Sequence, residues 1–157
     1  MAIETFFLEG KYEIYDITSG VFEYQRILDE VTDITLDWYN TILKDFGVKK
    51  YKPLQVGLMR NLPGEFGITS GTAINRLSIN LILLNLACIY LDRNDIYLDT
   101  IPHESAHCAL YEMYPEKRIG HGSLWVELMN YIKVPANEFS SYKGTLFADI
   151  KEFERIL

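Results

Sequence analysis

Apolar residues recur along the first half of the chain at two spacings, and the change from one to the other divides it into elements. From Val21 to Phe46, residues Ile27, Val31, Ile34, Trp38, Ile42 and Phe46 return every three or four positions, the period of a helix that buries one face. Gly47 suits the stop that follows. The patch Thr32-Asp33-Ile34-Thr35 is poor in helix formers and marks a place where the helix can break. Ahead of it, Ile3 to Ile17 reads as a hairpin around Glu9-Gly10-Lys11, with Thr18 or Ser19 capping the helix.

Beyond Gly47 the runs shorten to Leu54–Met59, Gly67–Ile74 and Leu77–Leu84, with Pro63-Gly64 and Ser70-Gly71 as turns. They predict a small antiparallel sheet of about three strands. Helical spacing then returns. Either Asn94 or Asp95 starts a helix that passes through Pro102 with a kink, or Asp99 or Thr100 caps a helix with Pro102 in its first turn. In both cases residues 103–113 are helical, and Tyr114-Pro115 ends the element. Gly122 to Ile132 predicts a short amphipathic helix burying Leu124, Trp125, Leu128, Met129 and Ile132, and Phe147 to Leu157 a last helix. The order gives an α+β fold in one domain over residues 1–157, with the acidic hairpin and helix of 1–46 as part of it.

Charge sharpens this picture. The net charge of −7 lies in residues 1–43, where nine acids face two bases; the remainder is balanced. That is the wrong sign for tight nonspecific phosphate binding. One basic cluster, Lys44, Lys49, Lys50, Lys52 and Arg60 around Tyr51, reads first as a solvated loop; Lys49, Lys50, Tyr51 and Lys52 are where a DNA contact would fall. No apolar run reaches membrane-spanning length, and no basic segment leads into an apolar one at the start. A cytoplasmic setting is expected, with Cys88 and Cys108 as buried free thiols.

The candidate chemistry is concentrated in one window. All 3 histidines of the chain fall between residues 103 and 121. In His103-Glu104-Ser105-Ala106-His107 the two histidines are four apart, so a helix stacks them on one face where both can reach one zinc ion. Glu104 sits beside that axis, placed to take a proton from a zinc-activated water. A catalytic zinc site needs a third protein ligand. His121, at the mouth of the next helix, is favoured over Glu127 on that helix; Met113 and the lack of a glycine at 110 exclude the metzincin spacing. Tyr111, Tyr114 and Tyr131 are all near enough in sequence to help an oxyanion, with nothing to choose among them.

Three segments together carry a resemblance: Gly71-Thr72-Ala73, then Ile101-Pro102-His103-Glu104-Ser105-Ala106-His107, then Gly120-His121-Gly122-Ser123-Leu124-Trp125 with Val134-Pro135-Ala136 behind it. Over roughly residues 20–140 the chain resembles the SprT-like zinc metalloproteases, the SprT and Spartan type. The resemblance implies a minimal zincin core with the motif helix packed on a small sheet. It also implies zinc on His103, His107 and His121, Glu104 as catalytic acid/base, and a protein or peptide substrate, with proteins crosslinked to DNA among the substrates. The cysteine-rich zinc-binding segment of many members has no counterpart, and Ile82 follows Ile79-Asn80-Leu81 where members often carry asparagine after the Ile-x-Leu of the strand before the motif helix, so no role transfers to that position. The expected activity is metalloendopeptidase. A non-proteolytic zinc-stabilised module that binds partners through the acidic N-terminal face is the alternative, and small-molecule hydrolysis would use the same chemistry.

Overall fold

A computed structural model describes residues 7–8, 12–13, 21–59, 62–64, 67–91 and 93–137. Strands β1 (Phe7–Leu8) and β2 (Tyr12–Glu13) pair antiparallel, at the place where the hairpin was expected. The long helix α1 runs from Val21 to Asp45 without a break. At the weak patch, the Thr35 hydroxyl donates to the Val31 carbonyl at 2.5 Å, so this buried polar group is satisfied inside the helix. The buried line of α1 is Ile27, Val31, Thr35, Tyr39, Ile42 and Leu43, while Ile34 and Trp38 flank it and Phe46 is 44% exposed. Tyr39 displaces Trp38 from the centre because its hydroxyl finds partners inside, donating to the Lys52 carbonyl at 2.6 Å and accepting from Asn80 at 3.1 Å. Gly47, at φ 74°, closes α1: its amide bonds Lys44 O at 3.0 Å and the Val48 amide bonds Leu43 O at 2.9 Å. That pair of bonds is a Schellman motif, which uses the left-handed conformation glycine adopts freely.

The main sheet has the order β3-β7-β6, from Leu54–Met59, Asn80–Asn85 and Gly71–Asn75. A smaller hairpin, β4 (Pro63–Gly64) with β5 (Gly67–Ile68), lies between β3 and β6 in the chain, so Pro63-Gly64 is strand and not turn. The expected antiparallel sheet is mixed: β6 runs antiparallel to β7, but β3 runs parallel to it. Residues 60–79 supply the long crossover that a parallel pair requires, and β6 uses part of it to reach the far edge of β7. The central strand β7 is buried along its whole length. Its even positions, Ile82 and Leu84, join Val56, Leu58 and the helices; its odd positions, Leu81 and Leu83, meet Met59, Leu62 and Ile74. A strand buried on both faces reads as a continuous apolar run, which is why Leu77 to Leu84 looked longer than the strand is. Leu77 itself is fully exposed in the turn closed by the Arg76 amide on Ile79 O at 2.9 Å.

Helix α2 (Leu86–Leu91) follows β7, then the short α3 (Arg93–Asp95). A five-residue π-helical turn, Ile96–Thr100, leads directly into α4, Ile101–Met113. Of the two starts allowed by the sequence, the continuous helical path is the one found: Thr100 keeps helical angles and caps nothing with its side chain. The wider turn, closed by the Ile101 amide on Ile96 O, accommodates Pro102, which has no N–H and whose ring clashes with the carbonyl four residues back. Helix α4 is buried on nearly every side from Ile101 to Leu110, between α1 and the sheet. Its end is fixed by the Tyr114 amide on Leu110 O at 2.8 Å. Helix α5 (Ser123–Tyr131) starts from Gly122 and buries Trp125, Leu128 and Met129 against α4. The last helix expected, Phe147 to Leu157, lies outside the described residues. No helix among the described residues is long and apolar enough to cross a membrane.

Candidate metal centre

Two elements bring the three histidines to one point. One turn of α4 separates His103 from His107, and the loop 114–120 turns the chain back so that His121 faces both. The Nε2 atoms lie 3.2 Å apart for His103 and His107, 3.2 Å for His107 and His121, and 3.0 Å for His103 and His121. Among the described residues these three form a group able to hold a metal ion. Glu127, the other candidate, is exposed on the outer side of α5 and is not part of that group.

The rings are set by their surroundings. Trp125 is fully buried directly behind all three, its ring centroid 4.8 Å from His103, 5.7 Å from His107 and 4.7 Å from His121, and it stacks on His107 at 13°. His103 Nδ1 lies 3.1 Å from the Asn137 carbonyl. A carbonyl only accepts, so Nδ1 carries the proton and Nε2 keeps its lone pair free for a metal. Burial, helped by His121 and opposed by the Asn137 contact, lowers the His103 pKa to about 4. Burial and then the two neighbouring histidines lower that of His107 to about 3. Both imidazoles are neutral bases at ordinary pH, the form in which they bind metals.

Glu104 stands next to this point, with Oε1 3.8 Å from His103 Nε2. Burial pushes its carboxyl up to about 8, while a hydrogen bond from the Ala73 backbone N–H acts the other way. That donor comes from the edge strand β6. The Asn85 amide bonds Ser70 O at 2.8 Å, so alternation makes 72/83 and 74/81 the bonded pairs and leaves the Ala73 N–H pointing out of the sheet. Behind Glu104, α4 and β6 touch so closely that a side chain on Gly71 would lie 2.7 Å from Thr100 Cγ2.

A polar hub fastens the other end of α4. Glu112 accepts from the Lys52 amide at 2.8 Å and from Asn80 Nδ2 at 2.9 Å, and faces the Lys52 ammonium at 3.7 Å. Lys52 Nζ also donates to Arg76 O at 2.7 Å and to Asn75. Tyr51 packs edge-on against Tyr39 and donates to Asn40 at 3.1 Å. Of the four residues expected to touch DNA, Lys52 and Tyr51 are thus engaged within the fold, and Lys49 and Lys50 are exposed.

The tyrosines separate. Tyr131 is 54% exposed and donates to Asp45 at 3.3 Å; Tyr114 lies under Lys117, whose Nζ is 5.2 Å from the ring. Tyr111 continues the helix face of His103 and His107, with its hydroxyl pushed up to about 12 by burial. Burial likewise raises the thiols of Cys88, to about 12, and of Cys108; both are free and buried, as expected. Sequence reasoning named the histidines and Glu104 but not the Ala73 amide or the Asn137 carbonyl. Backbone groups carry no side-chain signature, and Gly71 was the one available signal for the first of them.

No curated protein and no solved structure matches the chain. A family model, described as the SprT-like family, matches residues 21–143, which takes in α1, the sheet, the three histidines and α5. On that match the chain belongs to the SprT-like family.

Proposed function

We propose that the chain is a zinc-dependent metallopeptidase in which His103, His107 and His121 hold the metal and Glu104 is the general acid/base. The observation that carries this reading is the convergence of three imidazoles with 3.0 to 3.2 Å between their Nε2 atoms. Tetrahedral zinc with bonds of ~2.0–2.1 Å separates its nitrogen ligands by about 3.3 Å, so the donor set fits that metal. Three protein ligands with a carboxylate beside them also leave a position for water or substrate, the arrangement of a catalytic site rather than a closed structural one.

Zinc, when bound, supplies Lewis acidity, lowering the pKa of a water and polarising a carbonyl. The residues do the rest. His103 is held in its ligating tautomer by Asn137, and Trp125 fixes the planes of all three rings. Glu104, ionised next to a cation, accepts the proton of the attacking water and delivers it to the departing amine nitrogen. The Ala73 N–H holds the carboxylate in place between those two transfers.

The substrate we assign is a protein or peptide. A purely structural zinc module has no use for Glu104, which favours the peptidase over a binding module. A DNA-linked peptidase would have Lys49 and Lys50 for contacts and the acidic stretch against it. The test measures zinc content and cleavage of an unfolded protein substrate for wild type, His121→Ala and Glu104→Gln, with and without DNA. We expect about one zinc in wild type and Glu104→Gln and little in His121→Ala. Cleavage should require Glu104 and fall on the order of 10²- to 10⁴-fold without it. Zinc-loaded wild type that cuts nothing under any of these conditions would sink the peptidase reading.

A further inference from the structure

We infer that Gly71, together with the hydroxyl pair Ser70–Thr100, is a positioning element that sets the Glu104 carboxylate on the Ala73 amide; the catalytic part of this inference rests on the peptidase reading above. Three contacts meet there. A side chain on Gly71 would lie 2.7 Å from Thr100 Cγ2, 3.2 Å from Leu84 Cδ2 and 3.4 Å from Glu104 Cγ. Ser70 Oγ and Thr100 Oγ1 share a buried hydrogen bond at 3.0 Å. The Ala73 N–H, unpaired within the sheet, donates to the Glu104 carboxylate.

Together they make a mechanical register. Thr100 closes the π-helical turn one turn before Glu104, so the Ser70–Thr100 bond pins the head of α4 to the start of β6. Because Gly71 has no side chain, the strand and helix can approach to contact distance. At that separation the outward amide two residues on, Ala73, reaches a carboxylate on the fourth residue after Thr100. One added methyl group forces a shift, since Thr100 Cγ2 would be 2.7 Å away; Thr100 is branched and tied to Ser70 by its hydroxyl, so the strain is passed to the separation of strand and helix. The parting would move Ala73 away from Glu104 and leave a buried carboxylate without its donor. The histidine rings have supports of their own, Trp125 for both His103 and His107 and the Asn137 carbonyl for His103.

The clashing atom also supplies the control. Thr100→Ser deletes Cγ2 and retains the hydroxyl that meets Ser70. Gly71→Ala should therefore be repaired by Thr100→Ser in the same chain. The experiment follows amide exchange at Ala73 by NMR in zinc-loaded full-length protein, alongside kcat, KM and zinc content, for wild type, Glu104→Ala, Gly71→Ala and Gly71→Ala/Thr100→Ser. In wild type the Ala73 amide should exchange slowly, and about tenfold or more faster in Glu104→Ala and Gly71→Ala. Gly71→Ala should keep its zinc and its KM while kcat falls on the order of 10²-fold, the scale of a misplaced catalytic group. The double variant should regain slow exchange and most of kcat.

Unchanged exchange and kcat in Gly71→Ala overturn the inference, and so does a double variant that stays as impaired as the single one. If Gly71→Ala does not fold, Thr100→Val carries the test. It keeps the shape and removes the bond to Ser70, and should speed Ala73 exchange and lower kcat, whereas wild-type values for both would refute the pinning. If wild type hydrolyses no peptide, the peptidase reading falls, and the exchange data alone still decide whether Gly71 seats the carboxylate.

Discussion

Glu104 and the two histidines beside it are held in unusual protonation states by burial, and the signs of those shifts fix how the metal-free protein responds to pH. The Glu104 pKa is raised in the fold, to about 8 from 4.5. The folded state therefore holds that proton more tightly, and its stabilising contribution is complete below pH 4.5 and lost as pH climbs through 8. His103 and His107 shift the other way, to about 4 and about 3 from 6.5. Their contribution is present above pH 6.5 and disappears as pH falls through the folded values. Metal-free Glu104→Gln should lack the alkaline loss. At pH 8 its Tm should exceed that of metal-free wild type by more than about 2 °C, with a smaller gap at pH 5, in thermal melts under chelator. The side chains of the candidate metal centre were legible in the sequence because a helix converts a spacing of four into a shared face, and His121 was the one histidine left. The partners that orient them were not, because the Ala73 amide and the Asn137 carbonyl exist at every residue and become donors or acceptors of note only where the fold brings them. Trp125 was visible as a buried helix residue, but its place behind three imidazoles depends on the loop 114–120.

Among the elements, α1 and α4 owe their positions to polar groups as much as to apolar ones. Glu112 gathers the Lys52 amide, the Lys52 ammonium and Asn80, joining the last turn of α4 to the starts of β3 and β7. Glu112→Ala takes the acceptor from the Lys52 amide and removes one partner each from Asn80 and the Lys52 ammonium, which keep their bonds to Tyr39 and to Arg76 O, and should cost about 1–3 kcal/mol in urea unfolding. Glu112→Gln, which still accepts a bond, should cost less. At the end of α1, Gly47→Ala forces a side chain into φ 74° with open space around it, so the penalty is backbone strain alone, about 1–2 kcal/mol. Asparagine at the same place should cost less than alanine. The apolar stripe of α1 announced a helix, yet the buried line shifted toward Thr35 and Tyr39, since periodicity ranks residues by hydropathy and cannot see that a tyrosine hydroxyl will find Lys52 and Asn80. Strand direction was equally hidden. Alternation reports which face is buried, and β7, buried on both, offers no alternation to read.

For the whole molecule, the three histidines join α4 to the loop that leads into α5, so a bound metal is a clasp between segments that otherwise meet through Trp125, Leu128 and Met129. Metal at a thousandfold excess over its Kd should stabilise the fold by about 4 kcal/mol. A chelator should lower the wild-type Tm accordingly and leave the Tm of His121→Ala nearly unmoved, a comparison open to scanning calorimetry. The α+β class was readable from the order of periodicities; the mixed sheet was not, because it depends on where residues 60–79 carry the chain.

Since β3 pairs with β7 and not with the strands made just after it, β3 leaves the ribosome ahead of the strand it pairs with. Until residue 85 has been added, Leu54, Val56, Leu58 and Met59 wait on a strand with neither edge paired. At ~5–20 residues per second that wait lasts roughly one to five seconds. Slow codons between positions 59 and 85 lengthen it and should raise the share of nascent chains that aggregate, while the same codons placed after 85 should not.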